Sequence, residues 1–254
     1  MRSIALTFDL WDTLVADDSD EPRRAAAGLP SKAVARQDAF VRLGRRAAPD
    51  LPLPALEQAW QAATADFRHA WKVEHHTPGV RWRLERAFAH LGRPLPDDCD
   101  GTIAYLGAME AVLPPDPAPG VHAMLDALHG RYPLAIVSDA ILTPGSLLRE
   151  LMGSHGLDRY FDAFVFSDEA GASKPAAAVF TQATAALGVG PTDFIHIGDR
   201  EETDVDGALD NGGLAVLYTG VVDRGSARTR ASAVCNHHDA LPDLVDRLAA
   251  TRSA

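Results

Sequence analysis

The sequence IALTFDLWDTL, residues 4–14, combines a short apolar run with a set of polar residues that follow it directly. The run Ile4–Phe8 is nearly continuous in apolar character, which is typical of a parallel strand that is buried on both faces. It ends at Asp9, so a carboxylate stands at the carboxyl end of the predicted strand. In sheets built from parallel strands, this is the edge at which ligands bind. The segment therefore predicts a buried first strand and a candidate site residue.

Four further apolar runs have the same character as Ile4–Phe8. They are Leu134–Val137, Ala163–Phe166, Phe194–Ile197 and Leu214–Tyr218. Helical patterns lie between the later runs: Val121–Leu128 has apolar residues at helical spacing, and Ala176–Leu187 begins after Pro175 and stops at Gly188. Alternation of strand and helix predicts an α/β fold with a doubly wound, Rossmann-like parallel sheet.

Residues 18–113 interrupt this alternation, because they contain several amphipathic helical patterns and no convincing strand. The apolar positions of these patterns are Leu56, Trp60, Ala63, Phe67 and Trp71, then Val80, Leu84, Phe88 and Leu91, then Ile103, Leu106 and Met109. Polar connectors flank the segment at Asp17–Arg24 and Pro114–Pro119 and are candidate hinges. We interpret residues 18–113 as an inserted helical cap and residues 1–17 with 114–254 as the core.

Composition and charge exclude several classes of protein. The formal net charge is -11, with 24 Lys+Arg against 35 Asp+Glu, and this balance does not favour nucleic-acid or anionic-membrane partners. The two cysteines, Cys99 and Cys235, have no metal-ligand spacing, so a reducing cytoplasm is expected. No apolar stretch approaches the roughly 18 residues needed to span a membrane, and the N-terminal run is too short for a signal peptide. We expect a soluble cytoplasmic monomer or homodimer.

Polar side chains follow four of the five predicted strands at one edge of the sheet. They are Asp9 after the first, Ser138 and Asp139 after the second, Lys174 in the loop after the third, and Asp199 with Asp204 after the fourth. Three converging carboxylates would repel each other, so a hard divalent cation is implied, and oxygen-only ligands favour Mg²⁺. A hydroxyl, an ammonium and a metal around a tetrahedral oxyanion are suited to phosphoryl transfer, in which a carboxylate can act as nucleophile.

Four segments, in this order, resemble the four motifs of the haloacid dehalogenase superfamily. They are FDLWDTL (8–14), IVSDA (136–140), GASKP (171–175) and IHIGDREETDVDGA (195–208). The resemblance covers the core from Ile4 to about Leu217. The helical insertion is similar, by position and helicity, to the α-helical cap of the first subclass of this family.

The resemblance implies a role for each matching residue. Asp9 would be the nucleophile and a metal ligand, and Lys174 would bind phosphate and restrain the charge of the nucleophile. Substrate contacts would come from Trp11, Thr13, Ser138, Asp139 and Lys174, and metal contacts from Asp9, the Trp11 carbonyl, Asp199 and Asp204. The implied activity is that of a Mg²⁺-dependent phosphohydrolase, which acts on a small organic phosphate through an aspartyl-phosphate on Asp9.

Trp11 departs from the phosphatases of the family, which have a second aspartate there as general acid and base. Asp12 is adjacent, but alternation along a strand predicts that it points away from the side of Asp9. A positioned acid–base group contributes about 10²–10⁴-fold, so a phosphatase without one is slow or uses another group. The dehalogenases of the family also have an aromatic residue here, although their fourth motif lacks the Gly198-Asp199 pattern. A 2-haloacid dehalogenase-like hydrolase and a phosphate-binding protein with little turnover therefore remain alternatives.

Two local features have competing interpretations. Asp204 could serve only in the first turn of a helix over Asp204–Asn211 that Thr203 caps. A basic cluster in the insertion is a candidate for substrate contact, although charged stretches are usually solvated. Its members are Arg68, His75, His76, Arg81 and Arg83. The polar tail is predicted to close with a helix over Asp239–Leu248.

Overall fold

The computed structural model describes residues 4–252, and all of the strands in this range form one sheet. The strands are β1 Ala5–Phe8, β2 Leu134–Ser138, β3 Ala163–Phe166, β4 Phe194–Gly198, β5 Leu214–Tyr218 and β6 Ala233–Cys235. Their spatial order is β3-β2-β1-β4-β5-β6, and every neighbouring pair is parallel. The chain builds outward from β1 to one edge and then returns to build the other. The predicted α/β fold with a doubly wound sheet is confirmed.

The helices of the described range pack around this sheet or lie between its first two strands. They are α1 Glu21–Ala26, α2 Lys32–Ala47, α3 Leu53–Lys72, α4 Val80–His90, α5 Asp100–Val112, α6 Val121–Leu128, α7 Gly145–Ser154, α8 Ser167–Ala170, α9 Ala177–Ala186, α10 Asp206–Asp210 and α11 Leu241–Arg252. Residues 1–3 and 253–254, which the predicted core range includes, lie outside the described residues. Between residues 4 and 252, no helix is both long enough and apolar enough to cross a membrane.

The two faces of the sheet bury alternate residues of each strand in separate hydrophobic clusters. On β1, Leu6 and Phe8 pack on the face that α6, α7 and α11 cover, whereas Ala5 packs on the face that α9 and α10 cover. Because successive side chains of a strand point to opposite faces, a strand covered on both faces is apolar at most positions. This explains why the five predicted strands are short, largely apolar runs.

Helices α2 to α5, which lie between β1 and β2, enclose a hydrophobic cluster of their own. Phe40 of α2 stands at its centre: its ring centroid lies 5.5 Å from that of Trp60 and 5.6 Å from that of Phe88. Aromatic side chains contribute large buried areas to such a core. The amphipathic patterns predicted around Trp60 and Phe88 correspond to α3 and α4.

The chain after β5 differs from the prediction, which placed no strand there. Strand β6 pairs with β5 at the edge of the sheet, and only Cys235 of its three residues is buried. β6 is an apolar run of only three residues between Ser232 and Asn236, which is too short to identify it as a strand from the sequence. The closing helix is α11, Leu241–Arg252, rather than Asp239–Leu248.

The helix predicted over Asp204–Asn211 is also different. Residues 201–205 form a π-helical turn, and α10 begins only at Asp206. The Thr203 side chain makes no capping hydrogen bond at the start of α10. The turn lets Asp204 point back towards β4, where its carboxylate accepts hydrogen bonds from within the candidate site. π-helical turns of this kind are frequent at functional sites.

Candidate active site

Lys174 joins two carboxylates at the carboxyl edge of the sheet. Asp9 directly follows β1, and its backbone N–H donates to the carbonyl of Ile197 on β4 at 2.9 Å. Lys174 Nζ lies 2.6 Å from Asp9 Oδ1 and 2.6 Å from Asp204 Oδ1, and all three side chains are buried. Burial opposes the charge on Lys174, but the carboxylates of Asp204, Asp9 and Asp139 outweigh it and raise the pKa of the lysine. The lysine is therefore an ammonium, and it neutralises part of the acidic cluster.

Asp204 is held by three donors. Its Oδ1 accepts from Lys174 and lies 3.2 Å from His196 Nε2, and its Oδ2 accepts from the Arg200 backbone N–H at 2.9 Å. His196 is a buried residue of β4, and its Nδ1 lies 2.8 Å from Thr7 Oγ1 on β1. Burial would raise the pKa of Asp204, but Lys174 and His196 outweigh it and lower that pKa. These contacts give Asp204 one orientation.

Asp199 follows β4 and is held by an arginine from a distant part of the chain. Arg224, in the loop after β5, donates from Nε to Asp199 Oδ2 at 2.5 Å and from Nη2 to Asp12 Oδ2. Burial, together with the nearby charges of Asp9 and Asp204, raises the pKa of Asp199 to about 7. Among the residues that the structure describes, Asp199 Oδ1 is buried and has no hydrogen-bond partner.

Three carboxylates of this cluster are close enough to share one cation. Asp9, Asp199 and Asp204 each offer an oxygen, and these oxygens lie within 4.8 Å of one another. Asp199 Oδ1, which has no hydrogen-bond donor among the described residues, lies 3.8 Å from Arg200 Nε, and a cation would provide the close partner that such a buried acceptor requires. A set of hard oxygen donors suits Mg²⁺. The residues present fit a divalent cation of this type.

A cavity of about 140 Å³ opens beside Asp9. The carboxyl edge of the sheet contributes Asp9, Trp11, Asp139 and Lys174 to its walls. The inserted helices contribute Arg36 and Trp71. Ligand sites are commonly concave and formed where two structural layers meet, with a few convergent polar groups. Asp9 and Lys174 therefore border a space whose size suits a small ligand.

A comparison with protein families covers all four of the sequence segments quoted above. The chain matches the haloacid dehalogenase-like hydrolase family over residues 5–212. It belongs to this family. The resemblance stated from the four sequence segments is thereby confirmed, and the sheet described above is the fold that the family shares.

Individual relatives include both phosphatases and dehalogenases. The chain is 29% identical to the pyrimidine 5'-nucleotidase of Escherichia coli (strain K12) over 116 residues, which are 45% of this chain and 49% of that protein. It is similar to the structure of a haloacid dehalogenase (HAD) phosphatase from Thermococcus onnurineus, with a TM-score of 0.64 and 20% identity. That match covers 95% of this chain and 97% of the phosphatase chain. It is also similar to the structure of a 2-haloacid dehalogenase from Pseudomonas syringae pv. Tomato DC3000, with a TM-score of 0.64 and 20% identity. That match covers 97% of this chain and 99% of the dehalogenase chain. The chain spans about half the length, or less, of the curated relatives that it matches. At these identities the solved structures show the fold alone.

The loop after Asp9 separates Trp11 from Asp12. Trp11 is one of the residues that line the cavity. Asp12 has a positive φ of 53°, and its carboxylate is bound by Arg224 and by the Asp17 backbone N–H at 3.0 Å. Within residues 4–252, Asp12 is not among the residues that line the cavity. Asp12 therefore points away from the cavity because of a left-handed turn, and not because of the strand alternation from which we predicted it.

Asp139 lines the cavity and is almost completely buried. Its Oδ1 accepts from the Lys174 backbone N–H at 3.0 Å, and its Oδ2 accepts from Trp71 Nε1 at 2.8 Å. Burial raises the pKa of Asp139 to about 6, against the lowering effects of Lys174 and Trp71. The neighbouring hydroxyl of Ser138 and the hydroxyl of Thr13 are buried and, in the part of the chain that the structure describes, have no hydrogen-bond partner.

The predicted basic cluster of the insertion does not supply the cationic wall of the cavity. Arg81 pairs with the exposed Asp100 at 2.6 Å, and the Arg83 guanidinium lies 3.7 Å from the centroid of the Phe67 ring. The basic residue of the insertion that does line the cavity is Arg36 of α2, which pairs with Glu110 of α5. Arg36 was missed because no helix was predicted over residues 32–47, although Ala35, Ala39 and Leu43 have helical spacing there.

Three further residues of the site were not predicted as site residues. His196 lies in the otherwise apolar strand β4, and a histidine in such a run is a signal of a buried polar partner. Trp71 was counted only as an apolar position of α3. Arg224 lies in a polar segment that gives no local indication of its contacts with Asp199 and Asp12.

Proposed function

We propose that the protein is a Mg²⁺-dependent phosphohydrolase that acts on a small organic phosphate. The observation that carries this proposal is the Asp9 carboxylate, which faces a cavity at a strand end, 2.6 Å from the ammonium of Lys174. A nucleophile that is oriented in advance beside a positive charge is what attack on an anionic phosphoryl group requires. The cluster of Asp9, Asp199 and Asp204 supports the metal dependence.

In the proposed mechanism, Asp9 attacks phosphorus and forms an aspartyl-phosphate, which water then hydrolyses. Lys174 and the free hydroxyl of Ser138 donate hydrogen bonds to phosphoryl oxygens, and Lys174 also restrains the charge on Asp9. Asp9, Asp199 and the backbone carbonyl of Trp11 would hold Mg²⁺, with support from Asp204. The bound metal supplies positive charge that stabilises the transferring phosphoryl group.

The proposal assigns residues 18–113 to a helical cap over a core of residues 1–17 and 114–254. The separate hydrophobic cluster of α2 to α5 supports this division. Because Arg36 and Trp71 of the insertion line the cavity, closure of a cap would exclude water and contact the part of the substrate beyond its phosphate. Thr13, in the loop after β1, would contact the substrate through its hydroxyl. A cytoplasmic location fits the two buried free cysteines, Cys99 and Cys235.

A phosphate-release screen tests this function. Sugar, nucleotide and glycolate-type phosphates are incubated with the wild-type protein and with Asp9→Asn, each with Mg²⁺ and with EDTA. We expect release by the wild type with Mg²⁺, and at least a roughly 10³-fold loss in Asp9→Asn and in EDTA. Asp100→Asn, an exposed carboxylate of α5, is the matched control and should keep full activity. Phosphate release that persists in Asp9→Asn would exclude the mechanism.

A 2-haloacid dehalogenase is the second candidate, because the aromatic Trp11 lines the cavity at the position where dehalogenases have an aromatic residue. In this reaction Asp9 attacks carbon and forms an ester, so halide release continues in EDTA. Metal-dependent phosphate release without halide release rules it out. Tight binding of a phosphate analogue without any product over hours would instead indicate a binding protein.

A further inference from the structure

The proposed phosphohydrolase needs a proton donor that residue 11 does not supply. When Asp9 displaces an alkoxide from phosphorus, the departing oxygen is strongly basic unless it is protonated as its bond to phosphorus breaks. Trp11 has only an indole N–H, which does not serve as a general acid or base at neutral pH. The acid must therefore come from another position in the cavity.

We propose that Asp139 is the general acid and general base of this reaction, an inference that rests on the function proposed above. The residues that line the cavity include three carboxylates in the described range: Asp9, Asp17 and Asp139. Asp9 is assigned as the nucleophile. The choice of an acid from the cavity therefore lies between Asp17 and Asp139.

The position of Asp139 suits the leaving group. It follows β2, which pairs with β1, so its carboxylate lies in the same cavity as Asp9. Its Oδ2 is directed towards the inserted helices, because it accepts from Trp71 of α3 at 2.8 Å. Phosphorus must lie against Asp9 at the sheet edge, so in this proposal the leaving group occupies the rest of the cavity, whose wall includes Trp71 of α3. Each carboxyl oxygen of Asp139 has one hydrogen-bond donor, which leaves a lone pair for a transferable proton.

The competing carboxylates are less suitable. Asp17 has a side chain that is 45% exposed and pairs with Lys32 Nζ at 3.6 Å. Burial and the charge of Asp18 raise the pKa of Asp17 against the lowering effect of Lys32, so it is the exposure and the ion pair, and not the direction of the pKa shift, that make Asp17 less suitable. Asp12 lies outside the lining of the cavity and is bound by Arg224. Asp139 is 6% exposed, and burial raises its pKa to about 6, near the neutral range in which a general acid is most effective.

The proton balance of the two steps is complete. In the first, Asp9 forms a bond to phosphorus, the bond from phosphorus to the leaving oxygen breaks, and the carboxyl proton of Asp139 moves to that oxygen. In the second, Asp139 accepts a proton from water as the water oxygen attacks phosphorus. The bond from Asp9 to phosphorus then breaks, which releases phosphate and restores both side chains. The net reaction consumes one water and yields an alcohol and phosphate.

Leaving-group dependence tests this role. The single-turnover release of the leaving group reports the first step alone, and it is measured with phenyl phosphate and with p-nitrophenyl phosphate. Nitrophenolate departs without a proton, whereas phenolate is much more basic. We expect Asp139→Asn to slow phenol release by roughly 10²-fold or more and nitrophenol release by less than about tenfold. Asp17→Asn should show no such difference between the two substrates.

A rescue variant separates a catalytic role from a structural one. Trp11→Asp in the Asp139→Asn background places a carboxylate at residue 11, and we expect it to restore at least tenfold of the lost phenol release. An equal loss with both substrates, or a selective loss in Asp17→Asn, would overturn the assignment. If the wild type released phosphate from neither substrate, nor from any other phosphate with Mg²⁺, the proposed function itself would fail. That outcome differs from every outcome in which the wild type turns over.

Discussion

Replacing Lys174 with methionine would leave a buried acidic cluster without its internal cation. Lys174 is 3% exposed, and its Nζ lies 2.6 Å from oxygens of both Asp9 and Asp204, whose side chains are 8% and 1% exposed. Methionine fills a similar volume, so the change removes mainly the charge. Because these carboxylates are largely buried, solvent can replace only a small part of the charge of the lost ammonium.

The expected loss of stability follows from this geometry. Removing one partner of a buried ion pair costs about 3–5 kcal/mol, because the remaining charge is left buried and uncompensated. For a chain of this size, about 1 kcal/mol lowers Tm by roughly 2–4 °C, so we expect Tm to fall by roughly 6–20 °C at pH 7. The measurement is thermal unfolding in EDTA, so that no added cation replaces the ammonium.

The pH dependence of this loss has a definite sign. In the wild type, Lys174 and His196 lower the pKa of Asp204 below its usual 3.8. Ionised Asp204 therefore contributes stability above about pH 4, and this contribution is lost as the pH falls through the lowered value. Without the ammonium, burial raises the pKa of the Asp204 carboxyl in Lys174→Met, so in the variant this carboxyl takes up a proton as the pH falls, whereas in the wild type it stays ionised. Protonation relieves the variant of its uncompensated buried charge, so the difference in stability from wild type should be largest near pH 7 and should shrink towards pH 4.

Lys72→Met is the matched control for this experiment. Lys72 of α3 has a side chain that is 36% exposed, and its ion pair with Glu202 has a separation of 3.9 Å. Exposed pairs of this kind contribute up to about 1 kcal/mol. If Lys174→Met lost less than about 1 kcal/mol at pH 7, or lost the same amount at pH 4.5 as at pH 7.5, our account of Lys174 as the neutralising cation would be refuted.

Three other predictions concern the same edge of the sheet. Because burial raises the pKa of Asp199 to about 7, Mg²⁺ must displace a proton from this carboxyl at lower pH. Calorimetric titration should therefore show that Mg²⁺ binds roughly tenfold more tightly at pH 8 than at pH 6, and equal affinities would contradict this prediction. In Gly198→Ala the new Cβ would lie 2.3 Å from Asp204 Cγ, so we expect urea unfolding to show about 1–3 kcal/mol of destabilisation and kcat to fall at least tenfold. Wild-type stability and kcat would show instead that the contact relaxes freely. Trp71→Phe removes a hydrogen bond that lowers the pKa of Asp139, so the alkaline limb of the kcat–pH profile should move to higher pH by roughly half to one pH unit. A move to lower pH would contradict the assignment of Asp139 as the general acid.

Local patterns were sufficient for most of the fold. A strand that is covered on both faces is apolar at most positions, and the buried polar residues Thr7 and His196 pair with each other, so β1 to β5 are visible as short, largely apolar runs. β6 is an apolar run of only three residues and is too short to be recognised as a strand. The turn at residues 201–205 was likewise missed, because its backbone follows from the inward orientation of Asp204 and not from helix propensity.

The candidate site was only partly predictable for a related reason. Asp9, Ser138, Lys174 and Asp199 could be assigned to one edge, because the carboxyl ends of parallel strands meet there. The structure brings Asp9, Lys174, Asp199 and Asp204 together. The partners that orient these groups are His196, Arg224 and Trp71, and they were not assigned to the site.

The sequence by itself therefore determined which polar groups end the strands and the order in which the strands follow, since both depend on neighbours along the chain. Only the tertiary structure decided which groups neutralise and orient them. Lys174 and Asp204 are 30 residues apart, Trp71 and Asp139 are 68 apart, and Arg224 and Asp12 are 212 apart. No local periodicity relates residues at such separations, because chain packing alone brings them within hydrogen-bond distance.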